Sequence, residues 1–231
     1  MSEYNQYYIV DHSTTTIPSH ITHIRFADEF NSKIILPSHI THLVMGIFFN
    51  KCIKLPKNLI YLGLSYYYNK GLDLPKNLST LIMGNRFNKN IKLPPFVEYV
   101  SMGKNFNKPL ILPPSCTYLR MGDYFNQDII LPHDIQHVYM GMNFNKHIIL
   151  PPTCKYIHVG YSFYESLIIP SSVETFTTTW RCITRYYIDQ LIDNYNIIRT
   201  NLEHKAIKTR VHINRHNIDM KNLSLLMLSS Y

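Results

Sequence analysis

The sequence predicts a repeat solenoid, mainly β, in which parallel strands stack in 19-residue coils and a short α-helical cap closes the C-terminal end. Three observations predict it. Nine prolines stand at positions 18, 37, 56, 75, 94, 113, 132, 151 and 170, a 19-residue period without a slip. A fixed period near 20 residues marks stacked structural repeats. Apolar residues keep the same register around each proline. Only two alanines occur, Ala27 and Ala206, which argues against a large all-helical protein because alanine is the best helix former.

Each column of the repeat has a physical reading. Apolar residues stand three, six and eight positions after proline, as Val97, Val100 and Met102 do after Pro94. This L-x-x-L-x-L pattern is similar to that of leucine-rich repeats. The last two alternate, so they face inward from one strand, and the residues between them face out. Copies of the strand stack in parallel and bury a core that no single coil could close. Nine after proline comes a small residue, six times glycine, which suits a tight corner where positive φ is tolerated. An aromatic column follows, from Phe30 to Phe163, and is read as a stacked spine inside the convex side. Beside it runs an asparagine column from Asn31 to Asn145, read as a ladder that satisfies backbone amides at a corner. A second short strand is expected before each proline, where Ile129 and Leu131 alternate around Ile130. Nineteen residues leave no room for a full helix in addition. A right-handed solenoid of eight to nine coils follows.

The recurring phrase Phe-Asn-x-x-Ile-x-Leu-Pro resembles the FNIP repeat, a leucine-rich-repeat-like family of social amoebae and of large DNA viruses that infect amoebae. The resemblance covers about residues 17–180. It implies a leucine-rich-repeat-type solenoid and brings no catalytic residues. Some members resemble ubiquitin-ligase adaptors, in which an F-box precedes the repeats. Only about sixteen residues precede Pro18 here, too few for an F-box. The isoleucine, asparagine, tyrosine and lysine bias fits an AT-rich genome.

The ends depart from the period. Residues 1–16 form an N-terminal edge, with Tyr7, Tyr8, Ile9 and Val10 able to add a strand. The solenoid spans 17–181. From Ile183 the pattern changes: Ile183, Tyr187, Ile188, Leu191, Ile192 and Tyr195 share a helical face, so a cap helix is expected over roughly 182–198. Residues 182–231 are read as this helical cap and a basic tail. No apolar run reaches the ~18 residues of a membrane span, and no signal peptide is read. Four scattered cysteines make no disulfide framework, so the expected place is intracellular and cytoplasmic, of the host cell if the protein is viral.

Function is sought on the outward strand positions, five and seven residues after each proline. Tyrosine is a favoured interface anchor, and leucine-rich-repeat proteins bind partners on this face. The residues singled out for a protein partner are His42, Tyr61, Tyr99, Tyr118, His137 and Tyr156. A second reading takes the lysine row Lys51, Lys70, Lys89, Lys108 and Lys146, with the basic tail, as contact with nucleic acid or an acidic partner. A third is a structural protein without a specific ligand. The net charge of +8 divides into −2 before the repeats, +6 over 17–179 and +4 beyond, a spread that weakens the nucleic-acid reading. His20, His23, His39 and His42 are brought together by stacking, and solvent-exposed histidines of a duplicated coil are expected rather than a metal site. Cys116 and Cys154 fill the core two coils apart, beyond disulfide reach. No phosphate loop, H-E-x-x-H or nucleophile elbow occurs, and the carboxylates Asp73, Glu98, Asp123, Asp128 and Asp134 fall out of register. A non-enzymatic protein without cofactor is expected.

Overall fold

The computed structural model describes residues 7–179 and 212–214. Its strands are β1 (Tyr8–Val10), β2 (His23–Phe26), β3 (His42–Val44), β4 (Tyr61–Gly63), β5 (Thr80–Ile82), β6 (Tyr99–Ser101), β7 (Tyr118–Arg120), β8 (His137–Tyr139), β9 (Tyr156–Val159), β10 (Thr175–Thr179) and β11 (His212–Asn214). They form one sheet in chain order from β1 to β11. Every pairing is parallel, and from β2 to β10 partners are 19 residues apart, as Tyr99, Tyr118 and His137 are. Period and pitch are one quantity, so the proline count sets the number of coils.

The three apolar columns converge on a single continuous core. Val97, Val100 and Met102 are buried, and so are their counterparts Cys116, Leu119 and Met121 in the next coil. Two turns close each coil. At the first, the proline carbonyl accepts the N–H of the residue three on, at 3.0–3.4 Å from Pro18 to Pro170. Proline has no N–H to leave unpaired there. At the second, the carbonyl of the small residue accepts the amide of the aromatic three on, as Gly103 does from Phe106 at 3.1 Å.

The spine is present. The rings of Phe30, Phe49, Tyr68, Phe87, Phe106, Phe125, Phe144 and Phe163 stack in sequence with centroids 6.0–6.3 Å apart. The planes are nearly parallel, which at that separation is the offset arrangement that aromatic quadrupoles favour. His12 lies against Phe30 at 5.4 Å and covers the N-terminal end. Tyr68 brings a hydroxyl into this apolar column. Its oxygen is buried without a hydrogen-bond partner among the described residues, and burial pushes its pKa up to about 12.

The asparagine ladder runs one way. The side-chain oxygen of each asparagine accepts the backbone N–H of the next coil's asparagine, from Asn31 through Asn50, Asn69, Asn88, Asn107 and Asn126 to Asn145, at 2.9–3.1 Å. Asn145 then accepts from the amide of Tyr164 at 2.8 Å. The last coil therefore needs only an amide at this position, which is why a tyrosine closes the row.

Two expectations are corrected. The six corner glycines do not have positive φ. They are required by close approach: a Cβ at Gly46, Gly84, Gly103, Gly122, Gly141 or Gly160 would lie 1.6–2.1 Å from the preceding coil's carbonyl oxygen. Ser65 replaces glycine in this column and turns its hydroxyl to the Phe49 carbonyl at 2.5 Å. The second correction concerns the limb before proline, where no strand forms among the described residues. The alternation survives, with Ile129 buried and Ile130 89% exposed. An extended chain suffices for alternation; a ladder also needs an unbroken row of donors, and each proline interrupts it.

Among the described residues there is no helix. The cap helix expected at 182–198, and most of the basic tail, lie outside them. At the other end, β1 pairs Tyr8 with Ile24, and its terminal turn is tied by Asp11, which accepts from the amide and hydroxyl of Ser13 and from the Thr14 hydroxyl. These hydrogen bonds hold the Asp11 carboxyl below its usual pKa.

Candidate functional site: the outward face of the sheet

A strand of three or four residues has few outward positions. Strands β2 to β10 expose two columns, five and seven residues after each proline. The first reads His23, His42, Tyr61, Thr80, Tyr99, Tyr118, His137, Tyr156, Thr175. All six residues singled out for a partner stand in it, each half-buried. Thr80 divides the row in two. The N-terminal group is Tyr7, His23, His42 and Tyr61, with successive centroids 5.8, 3.9 and 5.8 Å apart. The C-terminal group is Tyr99, Tyr118, His137 and Tyr156, at 4.1, 5.6 and 6.0 Å.

Stacking decides what this row can offer. Tyr99 and Tyr118 lie face to face with planes 10° apart, and His23 and His42 with planes 11° apart. These rings spend faces on one another. What remains outward is ring edges, phenol hydroxyls and imidazole nitrogens.

The second column adds residues that sequence reasoning recorded as outward without singling them out. In order it carries Arg25, Val44, Gly63, Ile82, Ser101, Arg120, Tyr139, His158 and Thr177. Tyr139 packs against Tyr118 at 5.4 Å and Tyr156 at 4.6 Å, joining the two columns. The Tyr118 hydroxyl has those of Tyr99 and Tyr139 as its neighbours, and Tyr139 has that of Tyr156. Tyr156 continues to the Thr177 hydroxyl at 3.1 Å, which also meets His158 Nδ1 at 2.8 Å. Burial first, then Tyr99 and Tyr139, raises the Tyr118 pKa; burial first, then Tyr156, raises that of Tyr139. Burial first, then the Arg120 charge, lowers that of His158. The available signal was the change of this column to polar and aromatic residues from Ser101 onward.

The histidine pair is built differently. His23 and His42 each place Nδ1 against the preceding threonine hydroxyl, at 2.8 and 2.9 Å. Burial, with the neighbouring His23, lowers the His42 pKa. Among the described residues no three His, Cys, Asp or Glu side chains gather as a metal site.

Cys116 and Cys154 are buried free thiols whose pKa burial pushes up to about 11, while Cys52 is exposed. Cys182 lies outside the described residues. The lysine row stands one position past the asparagine ladder, away from the strands. Lys51, Lys70 and Lys89 are exposed, Lys108 and Lys146 half-buried, and no carboxylate pairs with any of the five among the described residues. Gln127 interrupts the row and donates its amide to Asn107 Oδ1 at 3.0 Å. An open depression of about 600 Å³ lies before Pro75 and Pro94, lined by Leu72, Leu74, Ile91 and Leu93 among others. Among the described residues no helix is long and apolar enough to cross a membrane.

The FNIP Repeat family model matches residues 87–124 and again 106–143. The fold is similar to that of CroV588, a giant-virus protein whose crystal structure is described as a novel circular LRR protein, with TM-score 0.58 and 24% identity. The similarity covers 85% of this chain and 37% of that one, so the chain spans little more than a third of its neighbour. No curated protein matches the sequence.

Proposed function

We propose that this FNIP-repeat solenoid is a non-enzymatic protein-binding scaffold whose partner docks on the outward sheet face. The observation that carries the reading is the Tyr99, Tyr118, His137, Tyr156 row with Tyr139 beside it. Five rings held by packing on one another, with Tyr156 also tied to the Thr177 hydroxyl, lose little side-chain freedom on association. That ordering cost is what commonly offsets the gain from contact area. Tyrosine concentrated at the centre of a face is also the composition of interface hot spots. The N-terminal group at His42 and Tyr61 extends the same row past Thr80.

The test compares three proteins in cross-linking capture and mass spectrometry from the native host. They are the natural chain, the Tyr99→Ala/Tyr118→Ala variant and the Lys70→Gln/Lys89→Gln/Lys108→Gln variant. A partner captured by the natural chain and the lysine variant but lost by the tyrosine variant supports the reading. Capture lost only with the lysines, and falling steeply with salt, transfers the function to the basic row and to nucleic acid or an acidic partner. No saturable partner at all leaves a structural protein.

A further inference from the structure

We infer that the outward face carries an oxyanion subsite at Arg120, which receives an acidic side chain of the partner's peptide. The inference rests on the protein-binding reading and names the chemistry of the partner.

Begin with charge. Neither outward column holds a carboxylate between His23 and Thr177. Two arginines stand there. Arg25 is committed to Asp28 at 3.2 Å. Arg120 is exposed, and among the described residues no carboxylate lies within ion-pair distance of it. The acid three residues on, Asp123, lies 3.9 Å from the Lys104 ammonium.

Next, the neighbours. In register, Arg120 has Ser101 on one side and Tyr139 on the other, with His158 one strand further. Tyr118 heads the same strand and packs its ring on Tyr139. A planar guanidinium with five N–H donors is thus bordered by hydroxyl and imidazole groups, all suited to an oxyanion. A fork-shaped donor meets a carboxylate through two parallel hydrogen bonds.

Arg120 contributes little to the fold: it is exposed, has no ion pair among the described residues, and disfavours protonation of the half-buried His158.

The surroundings also choose between acidic partners. A nucleic acid needs a track of cations and open ring faces on which bases stack. Among the described residues this face has one arginine without an ion pair, and the adjoining Tyr99 and Tyr118 rings are stacked on each other at 4.1 Å. One anchor among ring edges fits one acidic side chain on a peptide.

The test is an NMR titration of the isotope-labelled full chain at low ionic strength with hexaglutamate, hexaglutamine and a short single-stranded DNA. We expect hexaglutamate to shift the amides of Arg120, Tyr139 and His158 saturably, and hexaglutamine to leave them unmoved. Arg120→Gln should weaken hexaglutamate binding about tenfold, the scale of losing a charge-assisted contact. Lys89→Gln, an equal change of charge on the lysine row, should leave it within about twofold. Equal losses in the two variants, unmoved amides, or DNA shifting the same amides more strongly than hexaglutamate would overturn the inference. If the host partner is lost with Tyr99→Ala/Tyr118→Ala yet binds Arg120→Gln undiminished, the subsite fails while the scaffold reading stands.

Discussion

Phe106→Ala removes one ring from the middle of the spine. Phe106 has no exposed surface and is stacked on both sides, 6.1 Å from Phe87 and 6.2 Å from Phe125. Truncating a buried phenylalanine costs about 3–5 kcal/mol, through lost transfer energy and the cavity left behind. The upper half of that range applies, because two ring contacts go at once and each coil is held in register by its turns, so the gap cannot collapse. About 4–5 kcal/mol corresponds to a fall in Tm of roughly 10–20 °C for a chain of this size. Equilibrium urea unfolding by far-UV circular dichroism reads the loss as a lower midpoint at unchanged slope. Phe106→Leu, which keeps much of the volume, should lose about 1.5 kcal/mol. A loss below about 1 kcal/mol for the alanine variant would refute the buried-spine placement.

Four further outcomes follow from the same geometry. Tyr68→Phe removes a buried hydroxyl without a partner, and urea unfolding should show a gain of about 1 kcal/mol. Gly71→Ala, with nothing within 4 Å of the new Cβ, should gain about 0.5 kcal/mol, whereas Gly122→Ala, 2.0 Å from the Gly103 carbonyl, should lose about 3 kcal/mol; equal effects would remove the close-approach account. Asn107→Ala strands the amide of Asn126 and the amide nitrogen of Gln127, and should cost about 1–3 kcal/mol, with hydrogen exchange accelerated first at Asn126. His42 and His158 have folded pKa values below the unfolded value of about 6.5, so the unfolded state binds more protons. Their contribution is present above about pH 6.5 and is lost as pH falls through it toward the folded values; Tm should drop on acidification, less so in His42→Gln/His158→Gln.

Most of the architecture was legible because a solenoid repeats its constraints. Each coil meets only its neighbours, so a residue's role recurs every 19 positions, and one column read nine times averages out single substitutions such as Tyr68 or Ser65. The buried columns, the spine and the asparagine ladder were read this way, as were the outward positions of Tyr99, Tyr118, His137 and Tyr156. The limb before proline misled because alternation reports which side faces the core and says nothing of whether ladder bonds form.

By itself the sequence determined the coil length, the number of coils and which side chains face inward, since all three depend on period alone. Tertiary structure decided what period cannot carry. It showed that the corner glycines answer to the preceding coil's carbonyl oxygen rather than to their own φ, a distance between residues 19 apart. It gave the asparagine ladder its direction. It turned the outward rings face to face and, among the described residues, left Arg120 without a carboxylate beside them, because ring orientation and charge pairing are set by neighbours across strands rather than along the chain.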